Sequence, residues 1–522
     1  MFAGTARGPW PAISEFDMSA KLGFAANYIS KIYIALVGIA IVPLYVRYMG
    51  AEAYGLVGFF AMLQSWLLLL DMGLSPMFSR ELSRYKAGAM STLEAMALLR
   101  NLEWFFGALA VVCSVAVVLV SDWIASSWLE FSLLPHGEVV FCISVMGVMV
   151  GQRWLISAYS SGLIGLDRQL SISAAAVAVA TLRSLGVLVV LRFISIRPAA
   201  FFAYQLLVVI FECWLNRWLL GRSIPKVRVS FWPSWGAVLK PHVPFALRMA
   251  YLSLVWSAIM QTDKLLLSHW LHLEEYGYFS VAVTAANGII LMFFPFGQAL
   301  QPRITMLAAQ GQWAGMADLY RLGTQFAAAL LMSAAGVMVF LAEPLLLTWT
   351  NNADLAAQAA PVLALYAMGN AAFALHNLAF QVQFAKGITR WQGIGSSVFA
   401  VAWLPILAVV AYRYGAVGAG WVWLVGNALF LLFWVTFAHG KVAPEIKWRW
   451  LFEDVLSVAA VALLSCLLTK TFVFTSHGRV EDAAFLVMTG AISVFLGLLA
   501  GSKTRSWLWT QVVLARARFF AT

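Results

Sequence analysis

Four basic side chains, Lys31, Arg153, Arg183 and Arg248, lie in the middle of long apolar stretches. A charge at the centre of a bilayer costs about 2.5–3.5 kcal/mol on insertion scales unless it faces protein or water, so each marks a functional position. Guanidinium groups bind phosphate oxygens through paired hydrogen bonds and keep their charge, while lysine supplies a compact point charge. A cavity lined by these four residues would attract phosphate, and a diphosphate better than a neutral sugar or a cation. The acids in comparable positions are Glu103, Glu212 and Asp263, with Asp71 near a span end. Asp71, Glu212 and Asp263 are the candidates for coupling to a proton or sodium ion, and each serves equally as a structural ion-pair partner.

Helical phase arranges several of these residues into stripes, because positions seven or eleven apart return to nearly the same face. Asn27, Lys31 and Gly38 align, as do Gln205, Glu212 and Asn216, then Asn287 with Gln298, and Asn370, Asn377 and Gln381. The competing reading is that the amides only join helix to helix. Arg100 has Glu103 one turn away as a local counter-charge. Lys264 points away from the face of Asp263 and Arg248, and is expected to snorkel to an interface.

The elements that position these groups follow from composition. Apolar residues make up 62% of the 522 and charged residues 11%, with a mean hydropathy of +0.84. That profile needs the bilayer as solvent, and the long apolar runs lack the alternation of a barrel strand. The expectation is an all-α, polytopic membrane protein of about fourteen spans, each needing about 20 apolar residues. The runs divide into an extension over 1–22, six spans over 23–219, and a basic linker over 220–242 containing Pro225, Pro233 and Pro241. Six more spans over 243–437, two over 438–500 and a tail over 501–522 follow. The last two spans carry no mid-span charge and are expected outside the two-lobed core.

Glu52-Ala53-Tyr54-Gly55 opens the second span and Glu274-Glu275-Tyr276-Gly277 opens the eighth. Six spans per half makes the halves parallel repeats about an axis along the membrane normal. Alternate turns collect Arg80, Arg84, Lys86, Arg222, Lys386, Arg390, Lys441 and Lys447, which places both termini in the cytoplasm by the positive-inside rule. Residues 1–17 hold Pro9, Pro11, Glu15 and Asp17 without an apolar core, so the first span is expected to direct insertion. Arg505, Arg516 and Arg518 interleave with Trp507, Trp509 and Phe519, as in a helix lying on the inner leaflet. The net charge of +11 reflects loop asymmetry and not nucleic-acid binding. The four cysteines sit in apolar runs without metal or redox spacing.

Pro43-Leu44-Tyr45-Val46-Arg47, Gly50 through Gly55 and Asp71-Met72-Gly73-Leu74 followed by Arg80 resemble the polysaccharide transporter (Wzx-type lipid-linked oligosaccharide flippase) family. That family lies within the multidrug/oligosaccharidyl-lipid/polysaccharide superfamily. Gln261-Thr262-Asp263-Lys264 leading into Tyr276-Gly277, Pro295 with Pro302, and Gly415-Ala416-Val417-Gly418 extend the resemblance. It implies two pseudosymmetric lobes, alternating access and a polyprenyl-diphosphate-linked oligosaccharide flipped to the outer leaflet of a bacterial cytoplasmic membrane. It carries over no site residue. On this reading the sugar contacts are Gln205, Asn287, Asn370 and Asn377, the partners are the lipid-linked glycan, membrane lipids and a glycan polymerase, and no cofactor or catalysis is expected.

Two rivals differ in class. A cation or drug antiporter would want acids dominating the cavity, whereas this chain has more buried cations. A glycan polymerase or ligase would want a long outer loop with catalytic groups, and the largest here offers only Asp122, Glu130, His136 and Glu138. His269 and His272 beside Glu274 suggest a metal site less readily than interfacial placement.

Overall fold

A computed structural model describes residues 18–225, 243–388, 390–471 and 478–519, and their regular elements are helices. The first lobe comprises α1 (Met18–Met49), α2 (Ala51–Asp71), α3 (Leu74–Lys86), α4 (Thr92–Trp128), α5 (His136–Gly165), α6 (Gln169–Phe193) and α7 (Pro198–Ser223). The second comprises α8 (Val243–Trp270), α9 (Leu273–Ala309), α10 (Trp313–Phe340), α11 (Ala342–Thr350), α12 (Ala353–Ala385) and α13 (Arg390–Val442). Then come α14 (Lys447–Thr471), α15 (Arg479–Ala500) and α16 (Ser502–Phe519). The expected extension is already helical from Met18, and most of the expected linker, residues 226–242, lies outside the described residues.

Twelve helices among the described residues are long and apolar enough to cross a bilayer. Composition leads to an expectation of fourteen, and two elements bear on the difference. The 28-residue α8 is not among the twelve, and the 53-residue α13 is one run that doubles back. Gly415, with φ 58° and ψ −145°, breaks its helical path. Trp434 then fills the space beside Gly395, Trp403 packs on Trp423, and Gly418 meets the Val410 carbonyl. Those pairs close toward the bend from both sides, so the arms of α13 run antiparallel.

The lobes meet through the two Tyr-Gly motifs. A side chain on Gly55 would run into the Leu273 carbonyl oxygen, and one on Gly277 would run into that of Ala51. Ala51 and Leu273 hold equivalent places before the two motifs, so each lobe offers the other the same contact. Gly58 faces its own counterpart, Ser280, and therefore sits on the pseudo-twofold axis. This is the geometry of an isologous interface made within one chain.

Away from that contact the lobes part. The stripe on α1 is buried where it reaches Val42 and Tyr45, but exposed at Gly38 and Lys31. Along α9 the face that is buried at Tyr276 is exposed at Asn287 and Phe294. Toward the end that carries Arg84, Lys86 and Lys386 the gap between α1 and α9 is thus bordered by exposed surface, crossed by the Tyr28–Gln298 bond and flanked by α8, which still touches α2 and α3.

Helices α14 and α15 pack on α10, outside the two-lobed contact. Asp454 at the start of α14 is fully buried, where Arg321 of α10 grips it at 2.7 and 2.9 Å and Gln325 also donates to it. The sequence leaves this acid at a span end and so hides its importance. Removing one partner of a buried pair costs about 3–5 kcal/mol when it strands the other charge. Here Glu453, half-exposed and 2.6 Å from Arg321, keeps part of the contact and sets the loss toward the lower end. Asp454→Ala is expected to lower the midpoint of thermal unfolding in detergent, with the Arg321→Met, Asp454→Leu double variant recovering most of the loss. An unchanged midpoint in the single variant would show that water already reaches the pair.

Candidate functional site

Three neighbouring helices bring three charged side chains together near mid-span. Arg153 of α5 donates to Glu212 of α7 at 2.8 Å, and Arg183 of α6 donates to the same Oε2 at 2.6 Å. One carboxylate between two guanidiniums leaves an excess of one positive charge. The Nε atoms of both arginines are buried without a hydrogen-bond partner, so the cluster retains unspent donors.

A wide π-helical turn over Leu182–Gly186 places Arg183. Such a turn adds a residue to the helix and frees carbonyls, and it recurs at functional sites. Tyr204 on α7 donates to the Leu182 carbonyl at 2.9 Å, and Gln205 donates to that of Arg183 at 3.3 Å. At Gly186 the Tyr204 hydroxyl occupies the place of a Cβ, so a larger residue there would displace Tyr204 from the Leu182 carbonyl. On the neighbouring helix the Tyr33 hydroxyl meets Thr181 at 2.7 Å, tying α1 to α6.

The other expected cations lie elsewhere. Lys31 is exposed on the gap-facing stripe of α1, opposite in phase to Tyr33, with no ion-pair partner among the described residues. In the same part of the gap, Tyr28 of α1 donates to Gln298 of α9 at 2.5 Å. The backbone of Arg248 belongs to α8, but its side chain lies outside the described residues.

The expected acids and amides divide by surroundings. Asp71 receives the hydroxyl and amide of Ser75 at 2.6 and 3.3 Å and holds the first turn of α3. Asp263 is buried, and takes bonds from Tyr366 of α12 and from Lys264. Lys264 therefore does not snorkel outward. Its flexible stem curls back one turn, to the Met260 carbonyl at 2.7 Å and to Asp263 at 3.0 Å, because a neighbouring carboxylate compensates it within the protein. Asn370 is buried between Asn287 at 3.3 Å and the Trp423 indole at 2.9 Å, and Asn377 donates to its own helix at Phe373. Gln205, Asn370 and Asn377 thus spend bonds on helices in this conformation, while Asn287 stays exposed. Arg100 pairs with Glu103 at 3.2 Å, as their spacing suggests.

Sequence reasoning missed the seal at the Tyr-Gly end. Buried Glu52 accepts the Ser132 and Leu133 amides, pinning the turn after α4. That turn reaches the second lobe: the Glu130 carbonyl accepts from Leu273 at 2.6 Å, and its side chain lies 3.3 Å from His272. Trp128 donates to Ser268 at 3.2 Å, and its ring stacks obliquely on His269 at 4.6 Å. The histidines of interest therefore hold this seam. Among the described residues no group of three or more His, Cys, Asp or Glu is placed to hold a metal.

A family model described as polysaccharide biosynthesis protein matches residues 21–308. No curated protein matches the chain. Among solved structures, the lipid II flippase MurJ in an inward closed conformation is 12% identical, with a TM-score of 0.69 over 94% of this chain and 100% of that one. An inward-facing multidrug resistance MATE family transporter of the MOP superfamily is also 12% identical, with a TM-score of 0.65 over 80% of this chain and 98% of that one. The MATE multidrug transporter DinF-BH is 13% identical, with a TM-score of 0.59 over 85% of this chain and 99% of that one. At such identities the likeness is one of fold.

Proposed function

The chain belongs to the polysaccharide biosynthesis protein family, and from that premise we propose that it flips a polyprenyl-diphosphate-linked oligosaccharide from the cytoplasmic to the outer leaflet. The observation that carries the reading is the cationic Arg153–Glu212–Arg183 cluster at mid-span. A neutral or cationic substrate would gain nothing from that excess charge, whereas a diphosphate would use both its field and its unspent donors. The basic turns at the open end support a cytoplasmic gap, which is the side where a lipid-linked glycan is loaded.

In this mechanism the diphosphate enters past Lys31, settles near Arg183 and Arg153, and draws its glycan into the hydrated gap while the prenyl chain stays in lipid. The sugar then meets exposed Asn287, and Gln205, Asn370 and Asn377 contribute as their helices shift. Separation of the Tyr-Gly contact and closure of the opposite end expose the substrate to the other side. The membrane potential favours an anion leaving a negative cytoplasm by about 2.3 kcal/mol per charge per 100 mV.

Mass spectrometry of lipid retained through purification tests the substrate class, with a polyprenyl diphosphate glycan as the expected species. Transport of a drug cation that ignores such lipids would overturn the reading. Lys31→Ala is expected to slow flipping in proteoliposomes by about tenfold, the loss of one charge-assisted contact. Wild-type flipping by that variant would take Lys31 off the path.

A further inference from the structure

The first lobe carries a second cationic place, on its outer flank and apart from the gap. Helix α4 packs chiefly on α5, and α7 packs on α5 from the other side. Between α4 and α7 runs a groove of about 680 Å³ floored by Leu155 and Tyr159. Its apolar stretch is walled by Gly107, Ala108, Val111 and Val112. The two valines are each 64% exposed on a membrane-crossing helix, so they face lipid. Gly107 keeps the groove open, since nothing lies within 4 Å of where its Cβ would be.

The other end of the groove is charged. Glu103 accepts from Arg100 at 3.2 Å, from the Tyr159 hydroxyl at 3.0 Å and from Arg217 Nε at 2.9 Å. Both carboxylate oxygens are therefore engaged, and two guanidiniums face one acid. Arg217 remains 61% exposed although its Nε is bonded, so its terminal amino groups are the accessible part. Trp214 and Trp218, half-exposed and stacked 6.2 Å apart on α7, flank Arg217, and Arg222 lies over Trp218 at 4.5 Å. Exposed tryptophans with arginine at a helix end mark the headgroup level of a bilayer.

We infer that this groove is a binding site for an anionic phospholipid of the surrounding leaflet, its phosphate on Arg217 and Arg100 and one acyl chain along Gly107–Val112. Charge complementarity selects the occupant. The polar end has one net positive charge, which a single phosphodiester neutralises, and its apolar stretch lies against the lipid of the leaflet and not in the gap. A zwitterionic lipid carries an ammonium that the two arginines repel. The groove's place outside the gap makes this site independent of the proposed flipping path.

The test reconstitutes the full chain in phosphatidylethanolamine vesicles with a photoreactive acyl chain on either phosphatidylglycerol or phosphatidylcholine. Labelling of residues 107–112 is expected to favour phosphatidylglycerol by about tenfold, the scale of one charge-assisted contact. Arg217→Gln should reduce that labelling to the phosphatidylcholine level, and Arg217→Lys should keep part of it. Gly107→Leu, which fills the groove and leaves every charge in place, should abolish the preference for phosphatidylglycerol and leave both probes at the level of bulk lipid on Val111 and Val112. Equal labelling by the two lipids in wild type, an unaltered pattern in Arg217→Gln, or displacement of phosphatidylglycerol by an equimolar polyprenyl diphosphate would each overturn the assignment.

Discussion

Arg183→Ala leaves a folded protein that flips its lipid substrate about ten- to a hundredfold more slowly, the loss expected for one or two charge-assisted hydrogen bonds to phosphate. The fold survives because Arg153 and Glu212 remain as a neutral pair at 2.8 Å. What disappears is the excess positive charge and its more accessible bearer, since the Arg183 side chain is 33% exposed and that of Arg153 12%. Glu212→Ala should behave in the opposite way. It leaves two guanidiniums close together without their shared carboxylate, a defect of about 3–5 kcal/mol that appears in thermal unfolding before any transport assay. Arg183→Lys restores charge without the planar fork and should recover flipping only in part. Flipping rates in proteoliposomes, read beside unfolding midpoints for the three variants, decide the matter. Normal flipping by a stable Arg183→Ala protein would remove the cluster from the substrate path and leave it a structural tie between α5, α6 and α7.

The second large effect concerns the contact between lobes. Gly55→Ala and Gly277→Ala each drive a methyl group into a backbone carbonyl oxygen of the opposite lobe. Backbone cannot rotate away as a side chain would, so the helices must separate. Overpacking of this kind costs about 1–3 kcal/mol, and it burdens only the state in which the Tyr-Gly end is closed. The equilibrium between conformations should therefore shift by about five- to a hundredfold away from that state. Spin labels on Ser132 and Gln358, at the same end of the molecule, should report a longer distance population, with slower flipping. Because the two glycines are pseudo-twofold mates, their effects should be of similar size. A shift with one variant and none with the other would sink the symmetric account of the seal.

Much of this architecture was open to reading from the amino-acid sequence. A helix in lipid satisfies its own backbone hydrogen bonds, so its existence depends on local apolar composition alone. The helical, membrane-spanning fold follows from that. The paired Tyr-Gly motifs pointed to the internal repeat, and their glycines are the atoms through which the repeats touch. Helical phase also placed Gln205 and Glu212 on one face of α7, and both turn toward Arg183.

Partnership was a different kind of question. The sequence determined that Lys31, Arg153, Arg183, Glu212, Asp263 and Lys264 all sit deep in apolar helices. Only the tertiary structure decided that Glu212 serves two arginines, that Lys264 curls onto Asp263, and that Asn370 is spent between Asn287 and Trp423. The reason is physical. An ion pair depends on the relative height and rotation of two helices, and those are set by contacts between residues far apart in the chain. The π-turn at Leu182–Gly186 adds a residue within one turn of α6, and so alters the phase of all that follows. A regular periodicity cannot register that change. The buried positive charge is thus a property of composition, but its reduction to one excess charge shared by two arginines is a property of the fold.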